Sequence, residues 1–220
     1  MHFGYIEQLL SDPKGTLIFL LLALPGRLLA ISCHEAAHAW VANRCGDPSA
    51  RLMGRITLNP FKHLDPVGVI MMLVLGIGWA KPVPVNPRNY RNPKRDDIIV
   101  SLAGITSNIL LAFLATPIYM LTIKHGSNIA LVVSWFIYAF IQTNIVLALF
   151  NLIPISPLDG SHVLEDLLLP VCGPKPFLWL RQYGRYLLIV VLIALNYTGV
   201  LGTASGWVFN AFCRVFSFLN

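Results

Sequence analysis

The chain has 220 residues, of which 56% are hydrophobic and only 12% charged, with a mean hydropathy of +0.67. Soluble domains carry about 25% charged residues, so this composition excludes an ordinary soluble domain and points to an integral membrane protein. Residues 1–220 are enough for one compact helical bundle, read as a single domain with no added soluble one. The net charge of +6 does not imply nucleic acid as a partner. Lys and Arg sit in short segments beside apolar spans, which is the positive-inside pattern.

In chain order, the N-terminus carries Glu7 and Asp12 and lacks a basic n-region or a small-residue cleavage site, so no cleaved leader is expected. The first apolar stretch runs over residues 16–42, and Pro25-Gly26 predicts a break or kink within it. Arg44, Arg51, Arg55 and Lys62 follow. Among them, Arg55-Ile56-Thr57-Leu58-Asn59 alternates polar and apolar residues and predicts a short strand. Residues 66–80 are apolar but only 15 long, short for a spanning helix and suited to a re-entrant segment. Lys81, Arg88, Arg91, Lys94 and Arg95 come next, then spans at 98–123, 129–153 and 178–200 and a last apolar stretch at 206–219. The expected fold is an all-α polytopic membrane protein, a bundle of about five to six hydrophobic segments with a short membrane-associated β or re-entrant element.

Charge orients this bundle. The basic segments 44–65 and 81–97 both belong on the cytoplasmic side. Residues 66–80 then enter and leave on one side, and the N-terminus starts outside. Span 98–123 runs outward and span 129–153 returns.

The chemistry concentrates in His34-Glu35-Ala36-Ala37-His38. On a helix this spacing puts two imidazoles on one face, a turn apart, where both reach a single Zn²⁺, and the Glu between them can act as base toward water. Between Gly15 and Trp40 the only other formal charge is Arg27. Ionisable groups in such a run are costly and mark function. Catalytic zinc usually takes three protein ligands. Asp159 is the best third ligand, in Asn151-Leu-Ile-Pro154-Ile-Ser-Pro157-Leu158-Asp159-Gly160, where two prolines stop the helix and leave irregular backbone at membrane depth. The plainer alternative is Asp159 as N-cap of a helix over 161–168. His162 and Asp166 are weaker ligand candidates. His38 lies six residues before Arg44, about 9 Å along a helix, and Asp159 follows the inward end of span 129–153, so both approach the cytoplasmic side. The cysteines at 33, 45, 172 and 213 form no CxxC and no disulfide framework, and read as packing residues.

Here the sequence resembles the site-2 protease family of intramembrane zinc metalloproteases, in its short bacterial and archaeal form. The resemblance covers roughly residues 25–165. It rests on His34 through Trp40, Gly46-Asp-Pro-Ser-Ala-Arg51, Gly54-Arg-Ile-Thr-Leu-Asn-Pro60, His63-Leu-Asp-Pro-Val-Gly68, Gly78-Trp-Ala-Lys-Pro-Val-Pro-Val-Asn-Pro87, Ala103-Gly104 with Asn108, and Asn151 through Gly160. It implies one zinc ion held by His34, His38 and Asp159, Glu35 as the water-activating base, and Asn151 at the substrate or the reacting carbonyl. The chain departs from the family pattern at Ile105, where Pro is frequent, and at His162, where Arg is common. No inserted PDZ and no appended CBS domain is expected.

A helical substrate hides its peptide bonds and must unwind locally. In Lys81-Pro82-Val83-Pro84-Val85-Asn86, the prolines delete donors on one edge of an extended strand while Val83 and Val85 keep them on the other. An extended peptide can add to such an edge. Pairing with 55–59, or a polyproline path, is the alternative. The expected protein is thus a multi-pass cell-membrane zinc endopeptidase, its active site toward the cytoplasm. It cuts transmembrane substrates, with the lipid bilayer as its surroundings and no nucleic acid partner. The rival is a non-proteolytic membrane protein that binds or transports metal. Glu35 favours the enzyme, because a purely structural or transport site needs no base beside its ligands.

Overall fold

The computed structural model of the chain describes residues 11–75 and 78–219. Helix α1 spans Pro13–Cys45. It begins where the Asp12 carboxylate accepts the Gly15 N–H at 2.9 Å and Pro13 opens the first turn. At 1.5 Å per residue its 33 residues extend about 50 Å, longer than a hydrocarbon core of about 30 Å. The expected break at Pro25-Gly26 does not occur, and the helix is continuous. Gly26 instead faces Phe136 and Phe140, where an added Cβ would stand 3.3 Å from the Phe140 side chain. Close packing there supports the helix across its missing hydrogen bond. The helix ends at Gly46, whose φ of 116° would strain a side chain and whose N–H caps the carbonyls of Ala42 and Asn43.

After the short α2 (Ser49–Leu52), the alternating segment 55–59 forms no strand. Local side chains take its backbone instead. Thr57 Oγ1 accepts the Asn59 N–H at 3.1 Å, Asn59 Oδ1 accepts the Phe61 N–H at 3.1 Å, and the Thr57 carbonyl meets His63 Nε2 at 2.8 Å. Asn59 thereby caps a 3₁₀ turn at Pro60–Lys62. Helix α3 spans Pro66–Leu75, and residues 76 and 77 of the apolar 66–80 segment lie outside the described residues. Its two ends meet. Leu64 and Ala80 form an isolated antiparallel bridge, and the Lys81 N–H donates to the His63 carbonyl at 2.8 Å. Gly68 lies so close to the Trp79 backbone that a Cβ would overlap it. The two ends of the segment therefore lie side by side.

Helices α4 (Pro93–His125) and α5 (Asn128–Asn151) form an antiparallel hairpin through Gly126, at φ 64°, and the Ser127 N-cap. Ala112 and Ala115 of α4 meet Ile141 and Ile145 of α5 in the largest buried cluster. Three helices complete the chain: α6 (Asp159–Cys172), α7 (Lys175–Thr198) and α8 (Val200–Val215). α8 lays Val208, Phe209 and Phe212 on the α4–α5 core. The expected last segment, 206–219, thus falls within and just beyond α8, which begins earlier. Among the described residues, four helices are long and apolar enough to cross a membrane: Pro13–Cys45, Pro93–His125, Asn128–Asn151 and Lys175–Leu195. Their outer faces are apolar. Leu110, Leu114, Ile118 and Leu121 make one exposed stripe on α4, which only lipid covers without penalty.

Candidate metal centre and active site

His34 and His38 lie one turn apart on α1, both buried. Their Nε2 atoms are 3.0 Å apart, and the rings meet edge to face. Asp159 begins α6 and brings Oδ2 to 3.3 Å from His34 Nε2 and 3.2 Å from His38 Nε2. Three donors at 2.0–2.1 Å from a tetrahedral zinc are about 3.3 Å from one another. The three atoms thus already have the spacing of three corners of such a tetrahedron. Asp159 Oδ2 is buried and has no hydrogen-bond partner, an acceptor suited to a cation. A His₂Asp set is also the right donor chemistry for zinc. Among the described residues this is the group of His, Cys, Asp and Glu placed to share a metal ion.

Each ligand is held by its element. His38 Nδ1 lies 2.7 Å from the Val100 carbonyl of α4, which fixes the ring so that Nε2 faces Asp159. α4 reaches this close because Gly104 has no side chain. A Cβ there would overlap His38 Nε2 and the His34 ring. Asp159 does not cap its helix. It is the first helical residue, Leu158 is the N-cap, and no side-chain cap bond forms. Gly160 packs against the carbonyls of Asn151 and Leu152, which seats the start of α6 on the end of α5. Burial alone would raise the Asp159 pKa, but the adjoining imidazoles outweigh it and hold the carboxylate well below its ordinary range.

Glu35 faces the next sector of α1. Its Oε2 accepts the Val83 backbone N–H at 2.9 Å. Val83 is buried against Ala39 and Ala50, so its donor is turned to Glu35 and not to an open strand edge. Val85 is exposed, and its backbone N–H has no partner among the described residues. Asn151, the last residue of α5, donates from Nδ2 to the Leu147 carbonyl at 3.0 Å.

His162 and Asp166 stand outside the metal triad. His162 Nδ1 lies 3.6 Å from Asp97 Oδ2, linking α6 to α4. The nearby Asp97 carboxylate raises the His162 pKa despite burial. Asp166 is pushed up to about 6 by burial first, then by the charge of Asp97. Residue-type reasoning misses the Val100 carbonyl, because every residue carries such a group, and the proline alternation that singles out the Val83 N–H does not name Glu35 as its acceptor. Gly104 stands in a recognised motif, but no spacing rule places it against the histidines.

Comparison with known proteins identifies the family of the chain. The family model for peptidase family M50 matches residues 114–195. The chain is 39% identical to the Bacillus subtilis protein named "Putative zinc metalloprotease YwhC", over 86% of this chain and 84% of that one. It is 33% identical to "Putative zinc metalloprotease Rip2" of Mycolicibacterium smegmatis, over 80% and 69% of the two chains. It is 31% identical to "Putative zinc metalloprotease MJ0611" of Methanocaldococcus jannaschii, over 79% and 81%. No solved structure matches significantly. On the likeness to YwhC along nearly the whole of both chains, together with the family match, the chain belongs to peptidase family M50, the site-2 protease family, and is a zinc metalloprotease.

Proposed function

We propose that this metalloprotease hydrolyses peptide bonds of transmembrane substrates near the cytoplasmic face of the membrane, as in regulated intramembrane proteolysis. The observation that carries the reading is the His34–His38–Asp159 triad, its two histidines buried on a helix long enough to span a bilayer. His34, His38 and Asp159 hold the zinc. When bound, the ion polarises the scissile carbonyl and acidifies water. Glu35 takes the proton of the attacking water and passes it to the leaving nitrogen. Asn151 stands at the end of α5, beside the turn that delivers Asp159, where its amide can exchange its helical partner for the reacting carbonyl. Val83 and Val85 line the path of the unwound substrate, Val85 through its unengaged backbone and Val83 through its contact with Glu35.

Orientation follows from charge. The basic segments at either end of the 66–80 element meet at the Leu64–Ala80 bridge, so the positive-inside bias puts both in the cytoplasm. On this orientation the N-terminal end of α6, and hence Asp159, faces the same side. The single domain 1–220 then acts as one intramembrane unit.

The test is cleavage of a single-span model peptide by the purified protein in phosphatidylcholine vesicles, with Glu35→Gln as control. Cleavage within the hydrophobic span by the native protein alone supports the reading. Hydrolysis of soluble peptides only would replace it with action at the membrane face.

A further inference from the structure

The segment Lys81–Asn86 crosses α1 as a strap. Each end is tied down. The Lys81 N–H donates to the His63 carbonyl at 2.8 Å, and Arg55 Nη2 donates to the Lys81 carbonyl at 2.6 Å. At the other end the Asn86 N–H donates to Asp47 Oδ2 at 2.7 Å. Asp47 is fully buried and also accepts from Ser49 and from Asn89 Nδ2. These bonds outweigh the cost of its burial and lower its pKa. Between the ties, the Val83 side chain is seated on Ala39 and Ala50.

Along the middle of this strap, Pro82 and Pro84 have no N–H to offer. Residue 83 therefore supplies the one backbone donor of the three, and that donor goes to Glu35 Oε2. Ala39, which seats the Val83 side chain, lies one turn beyond Glu35 on α1, so side chain and amide engage the same helix face. A strap meant only to cover α1 would need no such economy of donors.

We propose that the Lys81–Asn86 strap positions the catalytic base: the Val83 N–H holds one oxygen of Glu35 and leaves the other for the attacking water. The proposal rests on Glu35 being the base. Val83 is then a positioning residue that acts through its backbone. The prolines keep the strap extended and deny Glu35 or water any competing donor. Base catalysis depends on reach of about 2.6–3.2 Å, and a glutamate with free χ angles spends much of its time away from any one position. A single directed donor on a doubly anchored strap removes that freedom.

The experiment compares Val83→Pro, Val83→Ala, Val85→Pro and Glu35→Gln on a single-span model peptide in phosphatidylcholine vesicles, with zinc content measured on each. Val83→Pro deletes the donor and keeps an apolar side chain, within a path that prolines already favour, while Val83→Ala controls for the lost side-chain packing. It should retain zinc and lose kcat by at least about ten-fold more than Val83→Ala, with KM little changed. Val85→Pro removes a donor that touches no catalytic group and should act on KM. If Val83→Pro loses zinc, Arg55→Lys carries the test. It keeps the charge, no longer reaches the Lys81 carbonyl, and should lower kcat several-fold at constant KM. Equal kcat in Val83→Pro and Val83→Ala, or native kcat in Arg55→Lys, would overturn the strap's role. Retained turnover in Glu35→Gln would instead overturn the base assignment on which it rests.

Discussion

At Gly104 the missing side chain lets α4 lie directly on the two histidines. A methyl group there would displace His38 Nε2 or the His34 ring, and the rings have little room to yield because Val100 holds one of them. Gly104→Ala should therefore bind zinc poorly and lose proteolysis while keeping its helical circular dichroism. Native zinc content in that variant would show that the helices shift apart instead. Glu35→Gln should do the opposite, keeping zinc and losing turnover by roughly 10²-fold or more. His34, Glu35 and His38 are legible in sequence because helical periodicity alone puts them on adjoining faces. Asp159 is legible because two prolines forbid a helix just before it. Val100 is not legible, since its functional atom belongs to the backbone, and the prolines that single out the Val83 donor do not name Glu35 as its acceptor.

At the scale of elements, α6 is tied to α4 by titratable groups. Asp166 has its pKa raised to about 6 and His162 is raised as well. Both shifts have the same consequence. A group whose folded pKa lies above its unfolded value contributes stability at low pH that is lost as pH rises through the folded pKa. For Asp166 the loss runs from roughly pH 4, the unfolded value, through about 6. Asp166→Asn removes that ionisation. Its melting temperature relative to the native protein should rise between pH 4.5 and pH 7.5, in round numbers set by that window, as read by thermal unfolding in detergent. A difference independent of pH would contradict the assignment. The four long spans were readable because composition and length suffice for a membrane helix. Pro25 leaves the helix unbroken, packed at Gly26. The 55–59 alternation misled because it is a local signal overruled by neighbours, the side chains of Thr57, Asn59 and His63.

For the whole molecule, the meeting of Leu64 and Ala80 couples topology to chemistry. If 66–80 spanned the membrane, the later helices would reverse and Asp159 would emerge on the side opposite His38. Single cysteines at Met53 and Arg88, both exposed, in a chain lacking the native four, should react with an impermeant thiol reagent from the cytoplasmic side only. Labelling of one from each side would contradict the fold. The central claim is that two helix-borne histidines and an aspartate from a distant segment form one zinc site, and zinc content of purified Asp159→Ala tests it most directly. The account predicts about one zinc per native chain and well below that in the variant, because two ligands alone leave a catalytic zinc site incomplete. Stoichiometric zinc in Asp159→Ala would contradict it.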